Sequence, residues 1–144
     1  MLYYSYNSDL ENSKMFHSFA NSEDRRNFGG SAFIEFQYCK LKRGLDIGKI
    51  ISIKTINNWQ DDSLYVYVDD IDELYRHYAD IFSDGVYNYL KTGKIDFYGI
   101  NYYTQQQLLN IIDTIDEQKP FDYAVLSEWL KQGINYNGFY ILGI

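Results

Sequence analysis

SLYVYVDDIDELYRHYADIF, residues Ser63–Phe82, carries two hydrophobic periods in succession, and the switch between them sets the fold class. In Ser63–Val68 the apolar residues alternate: Leu64, Val66 and Val68 point one way and Tyr65 and Tyr67 the other, which is the period of a strand. From Asp69 or Asp70, either of which can cap, the period lengthens. Ile71, Leu74, Tyr78 and Ile81 or Phe82 recur at helical spacing, so a helix runs to about Phe82 with Asp72, Glu73, Arg76, His77 and Asp80 facing outward. A strand that hands over directly to an amphipathic helix argues for helices packed on a sheet.

Outward from this stretch, Ala32–Tyr38 alternates Ile34, Phe36 and Tyr38 against Glu35 and Gln37. Lys49–Ile56 is rich in β-branched residues and reads as a strand between these two, giving an antiparallel meander. Ser8 and Glu11 form a capping-box pattern for a first helix to about Asn21. Beyond Asp84-Gly85 a short segment of possible helix ends near Leu90, and Ile95–Ile100 reads as a strand. Thr104 and Gln107 make a second capping box, for a helix with Leu108, Ile111, Ile112 and Ile115 on one face, broken at Lys119-Pro120. Asp122 caps a last helix using Leu126, Trp129 and Leu130, closed by Gly133, and Phe139–Leu142 is a buried final strand. The expected class is α+β: a single domain over residues 1–144, with a mainly antiparallel sheet of about five strands and three to four helices packed on it.

The 144 residues are 46% apolar and 19% aromatic, which excludes intrinsic disorder and allows a proper core. Sixteen tyrosines are the outlier. They serve either as half-buried core residues whose hydroxyls reach a polar partner, or as binding-surface rings. The net charge of −7 is confined to Asp61–Asp84, where eight acids meet only Arg76; elsewhere twelve acids balance twelve bases. Such a balance disfavours nucleic acid and anionic membrane as partners. There is no secretory signal pattern at the N-terminus, no apolar run of spanning length, and one cysteine, Cys39, so a cytoplasmic protein is expected.

Catalytic and metal patterns are missing. Glu73 and His77, four apart, read as a surface ion pair, and Arg76 pairs with Asp72 or Asp80. Cys39 reads as a buried thiol; His17 is the base it would need for nucleophilic work. The acids at 69–73 lack calcium-loop spacing, and Gly29-Gly30 is not followed by a phosphate-loop lysine. No enzyme, cofactor or metal is expected. Lys40, Lys42, Arg43, Lys49 and Lys54 form a basic counterpart to the acidic stretch. They read as a solvated hairpin guarding a strand edge, with a partner surface for RNA or an acidic protein, or a head-to-tail contact between subunits, as the alternatives.

Thr104–Ile115, Pro120-Phe121-Asp122-Tyr123, Leu126 with Trp129-Leu130, and the closing Asn137–Ile144 together resemble small bacterial immunity proteins in length, acidity and aromatic content. Such proteins are encoded beside polymorphic or contact-dependent growth inhibition toxins and neutralise the toxin's C-terminal domain. Their families differ in fold, so no site residue carries over. The resemblance implies a cognate basic toxin domain, often a nuclease, as partner.

Charge and aromatic anchors point to a partner surface at Asp69, Asp72, Glu73, Asp80, Tyr65 and Tyr67; the alternative is a solvated acidic edge, with Asp69, Asp70, Asp72 and Glu73 set at the helix start by its dipole. The function expected is therefore a non-enzymatic acidic binding protein that occludes a basic surface on a toxin. The alternative is a self-associating regulatory or scaffolding module, and a homodimer fits either.

Overall fold

The structure, a computed structural model, describes residues 15–19, 21, 23–24, 32–54, 56–87 and 91–144. Seven strands among them form one antiparallel sheet: β1 (Phe16–His17), β2 (Phe33–Tyr38), β3 (Leu64–Tyr67), β4 (Gly85–Tyr87), β5 (Lys91–Gly93), β6 (Ile100–Tyr103) and β7 (Phe139–Leu142). Their order is β1-β3-β2-β7-β6-β4-β5. The helices are α1 (Ile47–Ile50), α2 (Ile71–Tyr78), α3 (Gln105–Gln118) and α4 (Tyr123–Gln132), with a 3₁₀ turn at Val68–Asp70 leading into α2. The α+β antiparallel class holds, and the sheet is larger than the expected five strands.

The last strand is the central one. β7 lies between β2 and β6, with Phe36 opposite Ile141 and Tyr102 opposite Tyr140. Phe139–Leu142 is buried on both faces, which suits an unbroken apolar run. A tight turn delivers it there. Gly138 has φ +80°, and a side chain on it would collide with the Tyr103 carbonyl, so only glycine fits.

On one face, here the front, Ile34, Phe36, Leu64, Val66, Phe139 and Ile141 meet Leu74, Leu108, Ile111, Leu126 and Trp129 from α2, α3 and α4. Each helix bears the apolar stripe its sequence period dictates. The capping box at Thr104 is formed: its hydroxyl accepts from the Gln107 amide at 3.1 Å, and Gln107 Oε1 accepts from the Thr104 amide at 2.8 Å. On the back face, Tyr102, Tyr140, Leu142 and Cys39 are covered by Leu41, Leu45, Ile47, Ile50, Ile51 and Ile56.

That cover corrects one expectation. Residues 49–54 and 56 form the end of α1 and turns, not a strand; residue 55 lies outside the described residues, and among the described residues no basic hairpin is formed. Both edges of β2 are already taken, by β3 and β7, so the isoleucines pack onto the sheet instead of extending it.

The first helix is also overturned where the chain is described; residues 8–14 lie outside the described residues. Phe16 and His17 pair with Val66 and Tyr65. The cause is Asp122, whose Oδ2 accepts from the Met15 and Phe16 amides at 2.9 and 2.8 Å. Asp122 stands at the N-cap position of α4 as expected, but its carboxylate holds β1 and makes no cap bond.

The segment after Asp84 is β4, not helix; residues 88–90 lie outside the described residues. The strand expected at 95–100 begins only at Ile100. Asn101 explains this, accepting from the Asp96 amide at 2.7 Å and donating to its carbonyl at 2.9 Å, which closes a turn.

Buried tyrosines fasten these parts together. The hydroxyls of Tyr38, Tyr65, Tyr78, Tyr102, Tyr103 and Tyr140 donate to the carbonyls of Trp129, Gln60, Phe121, Asn137, Phe82 and Ile50, at 2.5–3.0 Å. These carbonyls sit at helix ends or turns, where backbone acceptors lack regular partners. A buried ring thus fills core volume and satisfies a distant loop at once.

Candidate functional site

The 3₁₀ turn and α2 carry half of the eight acids of the stretch, Asp69, Asp70, Asp72 and Glu73. Leu74 and Tyr78 are fully buried beneath the helix, which fixes its opposite side toward solvent. Asp69 and Asp72 are exposed, Glu73 is half-exposed, and Asp80 is exposed just beyond the helix. Helical spacing sets all four on this outward side.

Their partners differ. Glu73 accepts from Arg76 Nη2 at 2.7 Å and contacts His77 Nε2 at 3.2 Å, so the expected Glu73–His77 pair is present. Arg76 chooses Glu73, three residues away, over Asp72 and Asp80. Hydrogen bonding from Arg76, first among several contributions, holds the Glu73 carboxyl below its ordinary range. Partial burial pushes Asp70 the other way. Among the described residues, no lysine or arginine pairs with Asp61, Asp69, Asp72, Asp80 or Asp84. Of these exposed carboxylates, Asp69, Asp72 and Asp80 lie on α2 and its flanks.

The tyrosines chosen with them lie elsewhere. Tyr65 and Tyr67 point to the back of β3, across the sheet from the front helices. Tyr65 is buried, stacked on Trp59 at 5.8 Å and tilted against Phe19 at 5.4 Å, with its hydroxyl on Gln60. It is a core residue and leaves the site. Tyr67 is half-buried with its ring edge-on to Phe33, also on that far side. Neither joins the acids.

Other rings flank them. Tyr75 is 41% exposed on α2, edge-on to Phe97 at 6.1 Å, with Lys94 Nζ over its ring at 5.9 Å. Phe121 is 37% exposed on the other flank, against His77 at 5.5 Å. Tyr75 was findable: it follows Asp72 by three residues and lies beside the apolar stripe, not on it. Phe121 had no such signal, because a turn before α4 brings it there.

The basic counterpart is partly spent on structure. Lys40 pairs with Asp62 at 2.5 Å, and Arg43 donates to Gln105 Oε1 at 2.7 Å and the Asn135 carbonyl at 3.3 Å.

The back face holds a polar centre the sequence reading passed over. Glu35 is 2% exposed, and its carboxylate accepts from Ser63 Oγ at 2.6 Å, the Trp59 and Gln60 amides at 2.7 and 3.0 Å, and Gln37 Nε2 at 3.0 Å. Trp59 has φ +70°, a strained conformation for so large a residue. Two successive amides on one carboxylate hold it there. These contacts make Glu35 an anchor for the 57–63 loop.

Cys39 is fully buried, with Sγ 3.4 Å from the Tyr140 hydroxyl. His17 lies two strands from β2, opposite Tyr65, itself opposite Glu35, and Cys39 is four residues further along. Strand spacing and rise put the two Cα atoms about 16 Å apart. His77 is on α2, across the sheet. No cysteine–histidine couple forms from these groups. Among the described residues no three histidine, cysteine or carboxylate side chains gather to hold a metal, and no helix is long and apolar enough to cross a membrane. No family model matches the chain, and no curated protein or solved structure shows significant similarity to it.

Proposed function

We propose that this chain is a non-enzymatic binding protein that occludes a basic surface on a protein partner, as a cytoplasmic immunity protein does for a cognate toxin domain. The observation that carries the reading is the set of exposed acids on α2 and its flanks, Asp69, Asp72 and Asp80 foremost, with no cation against them among the described residues. Uncompensated charge of one sign speeds encounter with an oppositely charged partner. Tyr75 and Phe121, each partly exposed at the margins of the same surface, supply the aromatic anchors. A nuclease toxin, whose cleft must bind phosphate, offers the matching basic surface.

The test is capture from lysate of the source organism, with wild-type protein and the variant Asp69→Lys/Asp72→Lys/Asp80→Lys as parallel baits. The expected result is a basic protein held by the wild type at low salt, released as salt rises and ignored by the variant. Co-expression with that partner should then relieve its toxicity. Equal retention by both baits would remove the α2 surface from consideration. Lysine at positions 69 and 72 opposes the helix dipole at the start of α2, by about 0.3 to 1 kcal/mol each, so circular dichroism first confirms that the variant is folded.

A further inference from the structure

Ile53 and Tyr98 are 80% and 83% exposed, the largest exposures among the big apolar residues described. They stand together. Both line a cleft of about 150 Å³ whose other walls include Ile56, Ile100 and Leu142. Scattered exposed apolar residues need no explanation, but a cleft flanked by two of them marks an interaction surface.

The row continues on both sides. Phe97, next to Tyr98, packs against Tyr75, and Tyr75 is one helical turn from Asp72. At the other end Ile53 is followed by exposed Lys54. Asp72 thus adjoins the row on the α2 side and Lys54 on the Ile53 side. Among the described residues neither Asp72 nor Lys54 has an opposite charge paired with it. Within the row, Lys94 stands over the Tyr75 ring and the Asp96 carboxylate accepts from the Tyr98 amide at 3.0 Å, so the middle carries one charge of each sign.

We infer that this row is where a second copy of the chain docks, across a two-fold axis. A surface with opposite charges at its ends, and a middle of rings and aliphatic side chains whose one cation and one anion cancel, is complementary to itself when laid antiparallel on a copy. Asp72 then meets Lys54 of the other copy, and the reverse contact forms as well. A partner of a single sign would match only one end. The cleft has the size of a cavity that admits a benzene-like guest, room for one apolar side chain from the facing copy. This goes beyond the toxin-binding reading; it shares Asp72 and Tyr75 with that surface and leaves Asp69, Asp80 and Phe121 outside the contact.

Sedimentation equilibrium of the full chain, from dilute to millimolar solution, tests it. A dimer is expected that weakens as salt rises. Lys54→Glu and Asp72→Lys should each loosen it roughly fivefold or more, since each change acts twice in a two-fold contact. The double variant Lys54→Glu/Asp72→Lys should recover wild-type association. Ile53→Ser should weaken it without affecting the charge swap. Monomer at every concentration overturns the proposal, and so does a dimer indifferent to Ile53→Ser or one that the double variant fails to restore. Circular dichroism confirms folding of each variant; all three positions are exposed.

Discussion

On the front of the sheet three helices bury Leu74, Leu108, Ile111 and Trp129 against Phe36, Phe139 and Ile141; on the back, residues 41–54 and 56–60 contribute one short helix and otherwise only turns. The front cover is held by apolar area, which is non-directional and grows with each side chain added. The back cover is smaller and irregular, so its backbone groups have few regular partners. Its placement depends on directional contacts: Glu35 to Trp59, Gln60 and Ser63, Tyr140 to Ile50, Tyr65 to Gln60. The comparison implies that front substitutions act on the whole molecule and back substitutions act locally.

The largest effect should come from Phe139→Ala. Phe139 is fully buried, stacked on Tyr103 at 4.9 Å and edge-on to Trp129 at 6.0 Å, in the central strand. Emptying that position should cost about 3 to 5 kcal/mol, read from the urea midpoint with an unchanged slope. A loss below about 1 kcal/mol would mean the front is not the cooperative core.

Glu35→Ala attacks the back in the same strand system. It strands two backbone amides and the Ser63 hydroxyl around a residue at positive φ. A cost of about 2 to 3 kcal/mol is expected. Amide exchange should accelerate at 57–63 while the slow amides of α3 keep their protection relative to global stability. Uniform acceleration across both covers would break the distinction.

This difference also explains what the sequence disclosed. The front elements announce themselves: the stripe of α2, the capping box at Thr104 and the run Phe139–Leu142 each follow from a local period or cap. The back does not. Lys49–Ile56 has the composition of a strand, yet β2 has no free edge for it, and edge occupancy is a property of the whole sheet. Phe16 and His17 become a strand because Asp122 binds their backbone from more than a hundred residues away.

The candidate site divides in the same manner. Asp69, Asp72, Glu73 and Asp80 were legible because helical spacing alone collects them. Tyr65 was misplaced because Trp59 and Phe19 cover it from other segments. Glu35 looked like the polar side of an amphipathic strand, and only the return of residues 57–63 buries it.

Tyrosine hydroxyls tie both covers to the sheet, so removing them sharpens the comparison at smaller scale. Tyr140→Phe leaves the Ile50 carbonyl unpaired on the back, and Tyr103→Phe leaves Phe82 unpaired on the front. Each should cost about 1 to 2 kcal/mol. Burial pushes the Tyr102 phenol up to about 12 and also raises those of Tyr38, Tyr78, Tyr103 and Tyr140. The unfolded chain releases these protons near pH 10, before the folded one does. Their contribution is therefore complete below about pH 10 and declines as pH rises through the folded values. Absorbance at the phenolate band should show a block of tyrosines ionising together with loss of secondary structure, well above pH 10. Gradual ionisation with the fold intact would mean these rings are not fastened as described.

The smallest effect belongs to a front helix end, where local chemistry acts without tertiary help. Thr104→Ala removes the acceptor for the Gln107 amide and leaves the reciprocal Gln107–Thr104 bond in place. The expected cost is about 1 kcal/mol, with Thr104→Ser close to wild type because serine accepts the same bond. Thr104 is exposed, so no cavity adds to the change. Exchange should quicken in the first turn of α3 and spare the 57–63 loop, the reverse of the Glu35→Ala pattern. If Thr104→Ala instead loosened the loop, the two covers would be coupled through β6, which leads into α3 and pairs with the central strand.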